Sequence, residues 1–145
     1  MASIAWGIYA RADRAPPAPL AAADLRRYDW VGFSDNLGGI KPAKWLRERV
    51  GEEKLVYRVN TVLGLAEAAA EGIGLAVLPC FIAAVTPGLV QLMPPQPEME
   101  SGLWLLTHPD IKATARVRTF MEHAGREIGK LRPRIEGVAP QEDAA

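Results

Sequence analysis

Residues 59–79 read VNTVLGLAEAAAEGIGLAVLP, and this stretch decides the fold class of the chain. A short apolar strand ends at its start, and the small polar pair Asn60 and Thr61 then caps an alanine-rich helix. Gly72 is expected to close that helix in the left-handed conformation, which glycine adopts at little cost. Residues 75–78 are continuously apolar, which is typical of a strand buried on both faces. The stretch therefore predicts a strand–helix–strand unit.

The same alternation continues on both sides of this unit. Apolar runs predict further strands at 4–10, 30–33, 55–59, 89–92 and 103–106. Helices are predicted at 20–28 and 42–49, and an amphipathic one starts near Thr114 with apolar residues at Val117, Phe120, Met121, Ala124, Ile128 and Leu131. Strands that alternate with helices indicate an α/β fold with a mostly parallel sheet flanked by helices. One domain is predicted over residues 1–132, with a disordered tail over 133–145.

Composition excludes several classes of protein. The 145 residues are 49% hydrophobic and contain 17 basic and 17 acidic side chains, so the formal net charge is zero. Proteins that bind phosphate backbones usually carry a basic excess, which this chain lacks. The single cysteine, Cys80, permits no internal disulfide and favours a reducing compartment. Because no apolar run is long enough to span a bilayer and no export signal is visible, the chain is predicted to be soluble and cytoplasmic.

Two strand ends are candidate binding positions. Ser34 follows the strand at 30–33, and Asn60 and Thr61 follow the strand at 55–59. In open α/β sheets, ligands bind beyond the carboxyl ends of strands, where helix N-termini present free N–H groups. Plain helix capping requires the same residue types, and it remains the alternative interpretation.

No other pattern points to catalysis or to a metal. Gly72 and Gly74 lie between a helix and a strand, which is the reverse of the order in a dinucleotide-binding fingerprint. Cys80 follows a buried strand and is interpreted as an inert core cysteine. His108 and Asp110 provide two of the roughly four ligands of a closed metal site. The sequence therefore predicts neither an enzyme nor a bound cofactor or metal.

Several of these segments, in this order, resemble LysR-type effector-binding domains. The similarity is carried by LAEAAAEGIGLAVLP at 65–79, PGLV at 87–90, LWLLTHPD at 103–110 and RVRTF at 116–120. Upstream, IYA at 8–10 and WVGF at 30–33 also fit the family pattern. The match covers roughly residues 4–131.

The resemblance implies a periplasmic-binding-protein-like fold of type II and a role in sensing a small-molecule effector, with allosteric control of transcription. This chain is expected to hold the second lobe, plus the returning strand and final helix of the first, without the helix-turn-helix. The effector is expected to be an organic acid or an aromatic metabolite. Its expected contacts are Ser34, Asn60 and Thr61, with Phe33, Pro79 and Cys80 as apolar or shape-setting neighbours.

The resemblance also bears on partners. The family forms homo-oligomers, but the first-lobe surface that completes the dimer is expected to be missing here, which argues against a family-type dimer. Without the helix-turn-helix, these residues are expected to make no direct contact with DNA, and no membrane association is expected. The alternative is a free-standing α/β solute-binding protein or enzyme, or an inactive truncated fragment.

Overall fold

The computed structural model describes residues 2–138 of the chain. Seven strands are formed within them: β1 (Ala2–Ile4), β2 (Trp6–Arg11), β3 (Trp30–Phe33), β4 (Leu55–Val59), β5 (Ala76–Pro79), β6 (Leu89–Met93) and β7 (Ser101–Leu103). The α-helices of the same residues are α1 (Lys41–Arg49), α2 (Val62–Ala70), α3 (Cys80–Ala83) and α4 (Ala115–Ile135). Short 3-10 helices connect several of these elements.

The central sheet is mixed rather than mostly parallel. β4 and β3 are parallel, and a parallel bridge from Trp30 to Leu75 joins β3 to the start of β5. β2, however, runs antiparallel to both of its neighbours, β5 and β6. The predicted predominance of parallel pairs is therefore wrong. A continuously apolar strand indicates burial on both faces, and β2 reaches that burial as the centre of an antiparallel trio.

Local signals in the sequence explain how the elements begin and end. The Thr61 hydroxyl accepts a hydrogen bond from the Gly64 N–H at 2.9 Å, so Thr61 is the N-cap of α2. Gly72 follows the helix at φ 79°, in the left-handed region expected for it. Pro42 lies in the first turn of α1 as predicted, because that turn needs no backbone donor.

Helices α1 and α2 pack their apolar sides onto the sheet and close the core. The core side chain Trp30 is fully buried, and its indole N–H donates to the Leu25 carbonyl at 2.8 Å. The other large buried side chains come from all parts of the chain up to residue 99: Tyr9, Ile8, Leu25, Leu46, Leu65, Leu78, Leu92 and Met99. The core therefore belongs to the elements between β1 and the 3-10 helix at Pro97–Met99.

The segment after this core differs from its prediction. The expected strand at 103–106 is wrong, because only Ser101–Leu103 pairs, antiparallel with β1. Trp104 and Leu106 follow without strand structure and are 71% and 83% exposed. Their apolar character suggested a strand, but no neighbouring strand lies beside them within the described residues to accept their backbone hydrogen bonds.

Helix α4 continues past the predicted domain boundary at residue 133. It includes Pro133 and ends at Ile135, which is buried, and the Ala5 N–H donates to the Ile135 carbonyl at 3.0 Å. The predicted start of a disordered tail at 133 is therefore wrong, because these tertiary contacts hold the last turn of the helix. The remainder of that prediction, residues 139–145, lies outside the described residues.

Candidate functional site

The carboxyl ends of β3, β4 and β5 meet at one edge of the sheet. The Ser34 N–H donates to the Val59 carbonyl at 2.8 Å, so the ends of β3 and β4 are directly joined. The parallel bridge from Trp30 to Leu75 sets β5 in the same direction and brings Pro79 to the same edge. We call this edge the strand-end rim and define it by Ser34, Asn60, Thr61 and Pro79. Four of the six predicted site residues are thus brought together.

The polar members of the rim differ in how they are engaged. The Thr61 hydroxyl accepts the capping hydrogen bond of α2, but its own proton and second lone pair can still meet a ligand. The Asn60 carbonyl accepts a hydrogen bond from the Asn36 side-chain amide at 3.2 Å. Ser34 is half-buried, and its side chain makes no capping bond to the 3-10 helix that follows. Helix capping thus explains the presence of a polar side chain at Thr61, but it explains neither Ser34 nor Asn60.

Phe33 lies beneath the rim and packs against a residue that the sequence did not single out. Its ring meets that of Trp6 edge-on, with 6.4 Å between the centroids, and Trp6 is also the strand partner of Pro79. The Trp6 indole N–H is buried and has no hydrogen-bond partner among the described residues. The sequence feature that could have indicated Trp6 is a tryptophan at the first position of a central strand. Only the strand register, however, shows which residues Trp6 contacts.

Cys80 is set back from the rim. Its N–H donates to the Ala5 carbonyl at 2.9 Å, and burial raises the pKa of its thiol, an effect that a hydrogen bond from Tyr9 partly offsets. A raised thiol pKa disfavours the thiolate, which is the reactive form. This agrees with an inert core cysteine, and its predicted role as a shape-setting neighbour of the effector stays a prediction.

A small cavity adjoins Ser34, and two arginines that the sequence analysis did not single out line it. Arg47 and Arg58 line it together with the acidic Asp35 and Glu52. The Arg47 guanidinium donates to the Gly38 carbonyl at 2.9 Å, and Arg58 lies 3.8 Å from the Glu52 carboxylate. The sequence feature that could have indicated Arg58 is the presence of a charged residue in the otherwise largely apolar strand β4. The cavity beside the rim therefore carries charges of both signs.

The cavity is much smaller than a typical small-molecule site. Its volume is about 40 Å³, whereas sites for small molecules usually enclose about 300–1,000 Å³. A wider open groove of about 420 Å³ runs along the outer edge of β6, where it is lined without charged side chains by Ala18, Pro19, Gln91, Leu92, Met93, Pro94 and Pro95. The rim is thus an open edge of the sheet and not an enclosed pocket.

Within residues 2–138, no three His, Cys, Asp or Glu side chains are grouped so that they could hold a metal ion. None of the helices in this range is both long enough and apolar enough to cross a membrane.

Comparison with protein families places the chain in one of them. The model of the LysR substrate binding domain matches residues 3–129, which is most of the chain. The chain belongs to the LysR substrate-binding domain family. The resemblance carried by residues 65–79 and the segments around it is therefore confirmed.

Solved structures of LysR-type effector domains share the fold of this LysR domain. The effector binding domain of QuiR in complex with shikimate has a TM-score of 0.55 at 15% identity and covers 87% of this chain. A cysteine mutant of OxyR from Corynebacterium glutamicum has a TM-score of 0.55 at 13% identity and covers 97%. A histidine kinase sensor domain with similarity to periplasmic binding proteins has a TM-score of 0.51 at 20% identity and covers 92%. The periplasmic-binding-protein-like α/β fold is thus confirmed.

The LysR domain described here spans only part of these structures. It covers 63% of the QuiR chain, 47% of the OxyR chain and 57% of the sensor-domain chain. A search of curated proteins by sequence found no match. Fold and family are therefore shown, whereas the activity of the whole protein is a matter for proposal.

Proposed function

We propose that this LysR domain senses a small-molecule effector and belongs to a regulator of transcription. The observation that carries the proposal is the strand-end rim, because Ser34, Asn60 and Thr61 lie together where α/β sheets bind ligands. Shikimate in the QuiR structure is an example of a ligand held by an effector domain of this fold. The proposal requires no cofactor and no catalytic step, and it places the protein in the cytoplasm.

The chemistry of the rim favours an effector with a carboxylate and hydrogen-bonding groups. The N-terminus of α2 presents free N–H groups and the positive end of the helix dipole beside Thr61. Arg58 adds a guanidinium on the neighbouring side, whereas Asp35 repels a second negative charge there. An organic acid with one carboxylate, or an aromatic metabolite with polar substituents, satisfies both conditions.

The rim acts by binding and not by reaction. A second surface must complete the site, because the cavity beside Ser34 is much smaller than a typical small-molecule site. An effector held between the rim and that surface stabilises the conformation in which the two are closed. The difference in affinity between the open and closed conformations is then the free energy available for regulation.

Thermal unfolding with and without shikimate, salicylate and succinate tests the proposal. A ligand present at about 100 times its Kd adds about 2.7 kcal/mol to the free energy of unfolding, which raises the Tm by several degrees for a domain of this size. We expect one of the three compounds to do so. Ser34→Ala is expected to reduce that rise without lowering the Tm of the free protein, because the Ser34 side chain caps no helix.

Thr61 offers a matched pair of variants. Thr61→Ser keeps the hydroxyl that caps α2, whereas Thr61→Val removes it and should lower the free energy of unfolding by about 0.5–2 kcal/mol. Ligand affinity should likewise be kept in Thr61→Ser and reduced in Thr61→Val. If the ligand response is the same in Ser34→Ala, Thr61→Val and the parent, the effector binds elsewhere. A broad transition without any ligand response would support the inactive-fragment alternative.

A further inference from the structure

The turns that follow β3 and β4 are joined to each other beyond the last bond of the strand ladder. The ladder ends where the Ser34 N–H donates to the Val59 carbonyl at 2.8 Å. Further along both segments, the Asn36 side-chain amide donates to the Asn60 carbonyl at 3.2 Å. This bond joins the turn that carries Ser34 to the turn that carries Asn60 and Thr61. The expected effector contacts are thus linked through Asn36, which is not one of them.

The bond from Asn36 acts on a backbone peptide group. The Asn60 carbonyl belongs to the planar peptide between Asn60 and Thr61, so a bond to its oxygen restrains the orientation of that plane. Thr61 has φ −137° and ψ 151°, the extended conformation of an N-cap residue, and its hydroxyl accepts from the Gly64 N–H. The directions of the Asn60 and Thr61 side chains therefore depend on a bond that neither side chain makes.

Neither stability nor turn formation explains this bond. Asn36 and Asn60 are both exposed, and a hydrogen bond open to water adds little to the free energy of unfolding because water competes for both partners. An asparagine that only shapes its own turn bonds backbone about two residues away. Asn36 instead bonds a segment 24 residues away. The bond therefore serves to place the two turns relative to each other.

We propose that Asn36 is a positioning residue of the effector site, which holds Asn60 and Thr61 at a fixed distance from Ser34. The proposal rests on the proposed function, because it concerns the same rim. Polar groups that are already held in place lose less conformational entropy when a ligand binds. Without the Asn36 amide the two turns move separately, and a ligand that contacts both must also order them, which weakens its affinity.

Arg26 provides a matched control. Its Nε donates to the Arg49 carbonyl at 3.3 Å, across 23 residues, and this bond is exposed like that of Asn36. It joins a 3-10 helix to the end of α1, and no residue of the strand-end rim takes part in it. Arg26→Ala therefore removes a comparable bond elsewhere. Asn36→Ala and Asn36→Asp remove the amide donor at the rim, since a carboxylate only accepts hydrogen bonds.

Two measurements by NMR need no ligand. Loss of the bond to the Asn60 carbonyl should move the amide-nitrogen resonance of Thr61, which belongs to the same peptide group. The Ser34 N–H then lies at an unsupported end of the ladder and should exchange with solvent about three- to tenfold faster. We expect both changes in Asn36→Ala and Asn36→Asp, and neither in Arg26→Ala.

Isothermal titration calorimetry then measures the effect on binding. The probe is whichever of shikimate, salicylate and succinate raises the Tm of the parent. We expect its Kd to rise about three- to tenfold in Asn36→Ala and to stay within about twofold in Arg26→Ala. The Tm of the free Asn36→Ala protein should stay within about 2 °C of that of the parent, which separates lost affinity from lost folding.

Other results overturn the proposal. Unchanged Thr61 and Ser34 signals in both Asn36 variants would do so without any ligand. An unchanged Kd in Asn36→Ala, or an equal rise in Arg26→Ala, would do so as well. If none of the three compounds binds the parent, the proposed function fails, and the ligand-free signals still decide whether Asn36 positions the rim. The two proposals therefore fail separately.

Discussion

At the scale of single residues, Cys80 shows how burial sets chemistry. Desolvation raises the pKa of its thiol above the ordinary value of 9.0, and the Tyr9 hydrogen bond lowers it only in part. The folded protein therefore holds the thiol proton more tightly than the unfolded chain does. The stabilisation that this provides is complete below the unfolded pKa and is lost as the pH rises through the folded one.

We expect a measurable effect of Cys80 at alkaline pH. The free energy of unfolding, obtained from urea titrations at increasing pH above 9.0, should fall more steeply in the parent than in Cys80→Ala. The thiol should also react slowly with Ellman's reagent until the chain is unfolded. Equal slopes in the two proteins would show that the Cys80 proton is not held by the fold.

Gly74 supports the junction between β3 and β5, and it gives a second residue-scale prediction. A Cβ at this position would lie 2.8 Å from the Asp29 carbonyl oxygen, which also accepts the Leu75 N–H. Gly74→Ala should therefore lower the free energy of unfolding by about 1–3 kcal/mol, measured by urea titration. Gly39→Ala is the control, since no atom lies within 4 Å of a Cβ there, and it should change stability by less than about 0.5 kcal/mol.

At the scale of elements, α4 depends on a single anchoring turn. Ile135 is the only buried residue that the helix contributes within the described part of the chain, and it is 7% exposed. Ile135→Ala should lower the free energy of unfolding by about 2–5 kcal/mol in a urea titration. Ile111→Ala makes the same change at a site that is 48% exposed and should cost about 0.5 kcal/mol or less. Similar losses in both variants would contradict an anchor at Ile135.

The elements also show where sequence reasoning succeeds. The caps and stops of α1 and α2 were predictable, because Pro42, Thr61 and Gly72 act through local geometry. The bounds of β7 and α4 were not, because they depend on partners far along the chain. Leu106 lies in an apolar run typical of a strand, but that run has no pairing partner among the described residues. Pro133 favours a helix end, but α4 continues through it because a tertiary contact holds its last turn. Long-range pairing, and not local propensity, decided these cases.

At the scale of the whole molecule, the sequence indicates which strand ends form the candidate site more readily than it indicates which other residues lie beside them. The rule that ligands bind beyond strand ends selected Ser34 at one strand end and Asn60 and Thr61 at another, and the sheet places these two ends together. Trp6, Arg47 and Arg58 come from elements whose direction in the sheet is set by distant contacts. Predicting that these three residues lie near the candidate site therefore required knowledge of the register of β2 and β4 and of the packing of α1.

The hydrogen bond between Ala5 and Ile135 brings the beginning and the end of the folded lobe to the same point. A unit whose entry and exit adjoin can be inserted into one loop of a host protein while both connections stay short. It can also be circularly permuted, with a linker across that point and new termini in the open turn at Gly88, where no atom lies within 4 Å of a Cβ position. The adjacent ends of the fold are thus the geometric feature that insertion and circular permutation require.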